Sequence, residues 1–219
     1  MTDNQKNKIA LEDRAENGNK LYSPSTARNR DPIRDVFLKF MPLEGKILEI
    51  GGGTGEHAIH IASKLPNVVW HTGDPDETSR ASIAAWIEDA GLSNVKGPHS
   101  IDVRAEDWGI EAEAPFDGLV SINMIHIAPI TAAEGLFAGA QRILAPAGKF
   151  FLYGPFSKGG IHISPSNEAF DQSLKSRDPR WGVRDIDADL LPLAKKNGLI
   201  LQEAVEMPAN NLSLIFRKS

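Results

Sequence analysis

The apolar positions of this chain change period repeatedly, and each change marks an element. Ile47, Leu48 and Ile50, interrupted only by Glu49, have the pattern of a short strand buried on both faces. Gly51, Gly52, Gly53 and Gly55 break that strand, and Ala58, Ile61, Ala62 and Leu65 then follow at i, i+3, i+4, i+7 spacing, one apolar face of a helix. Strand, glycine turn, helix is a ligand-binding βα unit. Ahead of it, Asp31 and Pro32 predict a helix start, with Ile33, Phe37, Phe40 and Met41 as its inner face. Beyond it the pattern predicts strands over 68–74, 95–103, 116–125 and 149–156, helices over 78–91, 131–144 and 187–197, and last strands over 199–207 and 212–217. Such an alternation describes an α/β protein, a Rossmann-like doubly wound seven-stranded, mostly parallel sheet with a closing antiparallel hairpin. Residues 1–21 are polar and read as a flexible segment or a short helix that orders over the site, and 22–219 as a single domain. Residues 157–186 are irregular and carry many large polar and aromatic groups, where substrate caps grow.

Composition narrows the class. At 219 residues the chain is large enough for one substantial core, and a hydrophobic fraction of 41% is ordinary for a globular protein. Twenty-four Lys plus Arg against 29 Asp plus Glu, with no basic stripe, argues against a nucleic-acid partner. The absence of cysteine removes disulfides, thiolate catalysis and cysteine-ligated zinc. No apolar run reaches membrane-spanning length and the first residues lack a signal peptide's hydrophobic segment, so a cytoplasmic protein without a membrane partner is expected.

The glycine turn chooses among ligands. A dinucleotide fingerprint starting at Gly51 needs its third glycine where Glu56 stands, and a phosphate-cradling P-loop needs Gly-Lys-Ser/Thr where this chain has Gly55, Glu56 and His57. Glu49 and Glu56 would repel a pyrophosphate and suit a ligand that is neutral or cationic there. Asp74, 19 positions after Gly55, stands near where Rossmann-type folds place the carboxylate that accepts both ribose hydroxyls, with Asp76 as its rival. His57 and His60 share a helix face, but no carboxylate stands in ligand spacing with them, so no metal is expected.

Glu49, Gly51, Gly53 and Gly55 resemble motif I, E-x-G-x-G-x-G, of the class I S-adenosylmethionine-dependent methyltransferases. Longer stretches, SPSTARNRDPI, AIHIASKLPNVVWHTGDPD, INMIHIAPI, LYGPF, SNEAFDQSLKSRDPRWGVRD and MPANNLSLIF, look like the methyltransferase-like 26 family, a domain of unknown function with that fold. Other members commonly have a less glycine-rich turn, and the extra glycine, Gly52, is expected only to loosen it. The resemblance implies S-adenosyl-L-methionine as cofactor. Glu49 and the Gly51, Gly53 and Gly55 amides would hold its methionine moiety, Asp74 or Asp76 its ribose, and Asp102 with Val103 its adenine. Arg28, paired with Arg30, is a candidate for the methionine carboxylate or for a structural salt bridge. Asn123, His126 and Tyr153 are expected at the reacting end, His126 as a base and the other two as walls, Asn123 also touching the cofactor. Two functions follow: methylation of an oxygen, nitrogen or sulfur of a small molecule, or cofactor binding in a regulatory role without methyl transfer. A homodimer contact through the 157–186 segment is a further possibility.

Overall fold

Residues 14–219 are described by a computed structural model of the chain. An amino-terminal hairpin, β1 (Ala15–Asn17) and β2 (Lys20–Tyr22), leads into α1 (Pro24–Phe40). The βα alternation follows as β3 (Gly45–Ile50), α2 (Glu56–Ala62), β4 (Val68–Gly73), α3 (Glu77–Ala90), β5 (Val95–His99), β6 (Phe116–Ile122), α4 (Ile130–Ile143) and β7 (Leu144–Gly154). A subsidiary unit comprises β8 (Phe156–Lys158), β9 (Ile161–His162), α5 (Pro165–Arg177) and β10 (Arg184–Asp185). The chain closes with α6 (Leu191–Lys196), β11 (Leu199–Met207) and β12 (Asn211–Lys218).

Seven of these strands form one sheet in the order β11-β12-β7-β6-β3-β4-β5. Pairing is parallel throughout from β7 to β5, and only β12 runs against its neighbours β7 and β11. Alternate residues of each strand serve opposite faces. Phe150 and Leu152 pack with Leu136, Phe137 and Ala140 of α4, whereas Phe151 and Tyr153 pack with Ile33 and Phe37 of α1. The sheet is thus covered on both sides, which is why its strands read as nearly unbroken apolar runs. Strand order reverses between β3 and β6, and a crevice at that switch point, above the carboxyl ends of the strands, is where open α/β sheets bind ligands.

Several boundaries differ from expectation. Helix α1 starts eight residues before Pro32, capped by Ser23, whose side chain accepts from Thr26 N, with Pro24 in the first turn. Residues 24–30 carry no apolar period, so the helix there was invisible, although Ser-Pro is as good a start as Asp-Pro. Pro32 lies inside the helix, and Asp31 pairs with Arg34 at 2.7 Å and His60 at 2.8 Å. Strand β5 stops at His99, and β7 begins directly out of α4 at Leu144. The 157–186 stretch is not irregular: β8, β9 and β10 form a small sheet of their own, with α5 between β9 and β10. Residues 15–22 form the amino-terminal hairpin; the rest of the polar leading segment, 1–13, lies outside the described residues.

Candidate active site

Three strand exits meet at the switch point: the glycine turn after β3, Asp74 after β4, and Asn123 after β6. Gly51 and Gly55 have φ of 71° and 91°, left-handed values that a side chain disfavours, and a Cβ on Gly55 would come within 3.0 Å of the Ile83 backbone in α3. Gly52 does not loosen the turn as expected. It lies so close to β4 that a Cβ there would stand 2.6 Å from the Thr72 hydroxyl.

The turn's donors point inward. Gly51 and Gly52 N donate to Gly73 O at 3.0 and 3.1 Å, Gly55 N to Gly52 O at 2.9 Å, and Gly53 N to Asp74 Oδ2 at 3.0 Å. The glycine amides expected to hold a ligand are therefore committed to the fold, and the turn is left with carbonyl oxygens to offer. Phosphate sites need free N–H groups; this turn is built for the opposite sign. A Cβ on Gly53 would meet nothing nearer than Arg14 Nη2 at 3.8 Å, so the space above it is open.

Acidic groups surround the turn. Glu49 is 2% exposed and its Oε2 accepts from Thr72 Oγ1 at 2.7 Å and Trp70 Nε1 at 3.4 Å. Burial pushes its pKa up to about 7, the Thr72 and Trp70 hydrogen bonds pull it back, and the nearby Asp74 charge adds to the rise. Asp74 is also buried, which raises its carboxyl above the usual range against the bonds from Asp76 N and Gly53 N. Asp76 is placed differently: its Oδ2 accepts from Ser79 N at 2.7 Å and caps α3.

The expected adenine and carboxylate contacts are not brought to the turn in the same way. Asp102 grips its own loop, accepting from Arg104 Nη2 at 2.6 Å, Nε at 2.9 Å and N at 3.0 Å, and the Arg104 bond holds its carboxyl below the usual range. Val103 belongs to the core beside α4, where its carbonyl accepts from Trp108 Nε1 and leaves room only for a glycine at position 135. Arg28 lies on the exposed side of α1.

At the reacting end, Asn123 has φ of 56° and its N donates to Tyr153 O at 2.9 Å, while Met124 packs over Gly51. A non-glycine residue held left-handed at a strand exit is strain of the kind that collects at ligand sites. His126 is 1% exposed, with its ring edge-on to Phe156 at 5.3 Å and so close to Gly154 that a Cβ there would overlap Nε2. Neither ring nitrogen has a partner among the described residues. Burial, and then the Arg184 charge, lower its pKa to about 3. Arg184 closes the subsidiary unit onto this corner, donating to Ile125 O at 3.1 Å and to Ala128 O. Tyr153 was expected as a wall of the same pocket, but it belongs to the cluster on the α1 face of the sheet, whereas Phe156 beside His126 belongs to the other. Its hydroxyl meets the Asn29 and Asn211 amides, neither of which the sequence singled out, and burial raises its pKa.

A family model described as protein of unknown function (DUF938) matches residues 20–218. The chain belongs to the DUF938 family. This DUF938 chain also superimposes on solved methyltransferases. An O-methyltransferase family protein from Burkholderia thailandensis matches with a TM-score of 0.74 at 14% identity, over 89% of this chain and 57% of that one. An O-methyltransferase family 2 protein from Planctomyces limnophilus, in complex with apigenin, gives 0.73 at 15%, over 89% and 60%. A methyltransferase in calicheamicin biosynthesis, in its SAH-bound form, gives 0.68 at 16%, over 89% and 54%. The DUF938 chain spans a little over half the length of these proteins. At such identities the likeness establishes the fold: an α/β, mostly parallel seven-stranded sheet.

Proposed function

We propose that the chain is an S-adenosylmethionine-dependent methyltransferase acting on an oxygen, nitrogen or sulfur of a small molecule, and that within its family it stands with the methyltransferase-like 26 proteins. One observation carries the reading. The switch-point turn has its glycine N–H groups turned inward and buried carboxylates beneath and beside it, so it suits a nucleoside that brings an ammonium and a sulfonium and no phosphate. The SAH-bound neighbour and the shared sheet support it. The acidic balance of the chain, and the lack among described residues of a helix able to cross a membrane, support a small acceptor met in the cytoplasm rather than a nucleic acid or a lipid surface.

When bound, S-adenosylmethionine supplies a methyl carbon activated by its sulfonium. Glu49 and the turn carbonyls hold the ammonium end by charge, and Asp74 accepts from the ribose hydroxyls, two charge-assisted bonds together contributing roughly 3 kcal/mol or more. Asn123 and Met124 form the wall between the turn and β6. His126, neutral at physiological pH, is the proposed proton acceptor. Replacing it tests the role: His126→Gln is expected to abolish turnover while leaving cofactor affinity within about twofold. Undiminished turnover would make His126 a packing residue against Phe156 and Gly154.

Calorimetry with S-adenosylmethionine and its demethylated product, followed by a radiolabelled-methyl screen of metabolite pools, tests the whole reading. Binding together with a labelled product is expected. Binding with no labelled product would favour the second reading, a regulatory cofactor-binding protein, which the near-complete burial of His126 and Tyr153 would then explain.

A further inference from the structure

The carboxylates and carbonyls at the glycine turn account for the cations of the proposed cofactor and for its ribose, but the turn carries no cationic group to meet the carboxylate of its methionine moiety. The four glycine N–H groups of the turn, of the kind that serve anions elsewhere, are used internally. A cationic side chain must supply the missing charge, and few are placed to do so. Arg80 Nη1 is spent on Asp74 O at 3.0 Å and Pro75 O at 2.7 Å. His57, at the start of α2, is neutral because burial lowers its pKa to about 3. Arg28 lies on the exposed side of α1. Arg14 alone of these is directed at the turn, with Nη2 3.8 Å from the point where a Gly53 side chain would begin, and its charge reaches Asp74.

Arg14 is also held there by construction. The hairpin that follows it is stapled to the turn: Leu21 N donates to Ser82 Oγ at 2.8 Å, and that hydroxyl donates to Thr54 O at 2.7 Å. Ser23 N donates to Glu56 Oε2 at 2.7 Å, and the same carboxylate takes Thr54 Oγ1 at 3.0 Å. Trp86 Nε1 donates to Leu21 O at 3.1 Å and Lys20 pairs with Asp89 at 2.8 Å. Two buried side chains, Ser82 and Glu56, therefore tie the hairpin and the residue that follows it to the very loop that defines the site, and a hairpin serving only as a surface cover has no need of that link.

We infer that Arg14 binds the carboxylate of the cofactor's methionine moiety. The inference rests on the S-adenosylmethionine reading above. A guanidinium takes a carboxylate in two-point geometry, which a lysine ammonium does not reproduce. The role sets Arg14 apart from residues that grip the nucleoside, because a ligand lacking the amino-acid moiety has nothing for it to hold.

The test is calorimetry on the full chain with two ligands, S-adenosylmethionine and 5′-methylthioadenosine, which has the adenosine and the thioether but no amino-acid moiety. Arg14→Gln is expected to weaken S-adenosylmethionine at least tenfold and to leave 5′-methylthioadenosine within twofold, with Arg14→Lys recovering part of the loss. An equal loss for both ligands, or no loss for either, would overturn the assignment. Failure of the unmodified chain to bind either ligand would overturn the assignment together with the reading beneath it.

Discussion

Glu49 enters the folded chain with a carboxyl that water no longer reaches, and its pKa of about 7 follows from that loss more than from any neighbour. Because the folded value lies above the ordinary carboxyl value of 4.5, its protonated form stabilises the fold below pH 4.5, and that contribution is lost as pH rises through 7. The difference corresponds to about 3 kcal/mol between the two limits. Glu49→Gln keeps an oxygen for Thr72 and removes the ionisation. The variant is expected to gain 1–3 kcal/mol relative to the unmodified chain between pH 5 and pH 8, roughly the shift above, read from urea midpoints at the two values; parallel pH profiles would contradict the assignment. The places of Glu49 and Asp74 were legible because glycine spacing fixes where a strand ends. The surroundings of Asp102 and Val103 were not. Whether that loop turns toward the crevice depends on Arg104, two residues away, and on close packing against Gly135 of α4, neither of which leaves a periodic trace.

At the scale of elements, the expected parallel alternation and closing hairpin are present because they rest on long apolar periods, while boundaries were missed wherever polar residues continue an element. Helix α1 extends back through residues 24–30 on a serine cap, and the 157–186 stretch folds around Asp171, whose buried carboxylate accepts from Val183 N at 2.8 Å and Lys175 Nζ at 2.6 Å. Next to that unit, His126 packs on the end of β7 at one glycine. A Cβ at position 154 would overlap His126 Nε2, so Gly154→Ala is expected to destabilise the chain by about 1–3 kcal/mol, the range for overpacking a core. Combining it with His126→Ala should be less damaging than the sum of the two single changes, because the overlap disappears. Additive losses in thermal melts would mean that the β7 exit gives way instead. Arg14 was beyond sequence reasoning for a related cause: its place depends on the docking of the hairpin on α3, through Ser82 and Trp86, which no local pattern announces.

Of the three buried imidazoles among the described residues, burial lowers the pKa of His57 and of His126 to about 3 and lowers that of His71 as well. Folded values below the ordinary imidazole value of 6.5 give stability that is present above pH 6.5 and, for His57 and His126, lost as pH falls from there toward 3. Between pH 6 and 5 the loss from His57 and His126 is partly offset by Glu49; below pH 4.5, where Glu49 is protonated in both states, these two histidines lose stability without that offset, together about 2.7 kcal/mol per pH unit. Acid melts should therefore steepen below pH 4.5, and His57→Gln should flatten the curve, while an unchanged slope would mean that His57 is protonated within the fold. The ligand above the glycine turn is identified by titrating the unmodified chain and Asp74→Ala with S-adenosylmethionine and with NAD. The unmodified chain is expected to bind S-adenosylmethionine and not NAD, and Asp74→Ala to weaken this binding by about 2–3 kcal/mol, roughly 30- to 150-fold, with the fold intact. Binding of NAD in preference to S-adenosylmethionine, or an affinity for S-adenosylmethionine indifferent to Asp74, would contradict it.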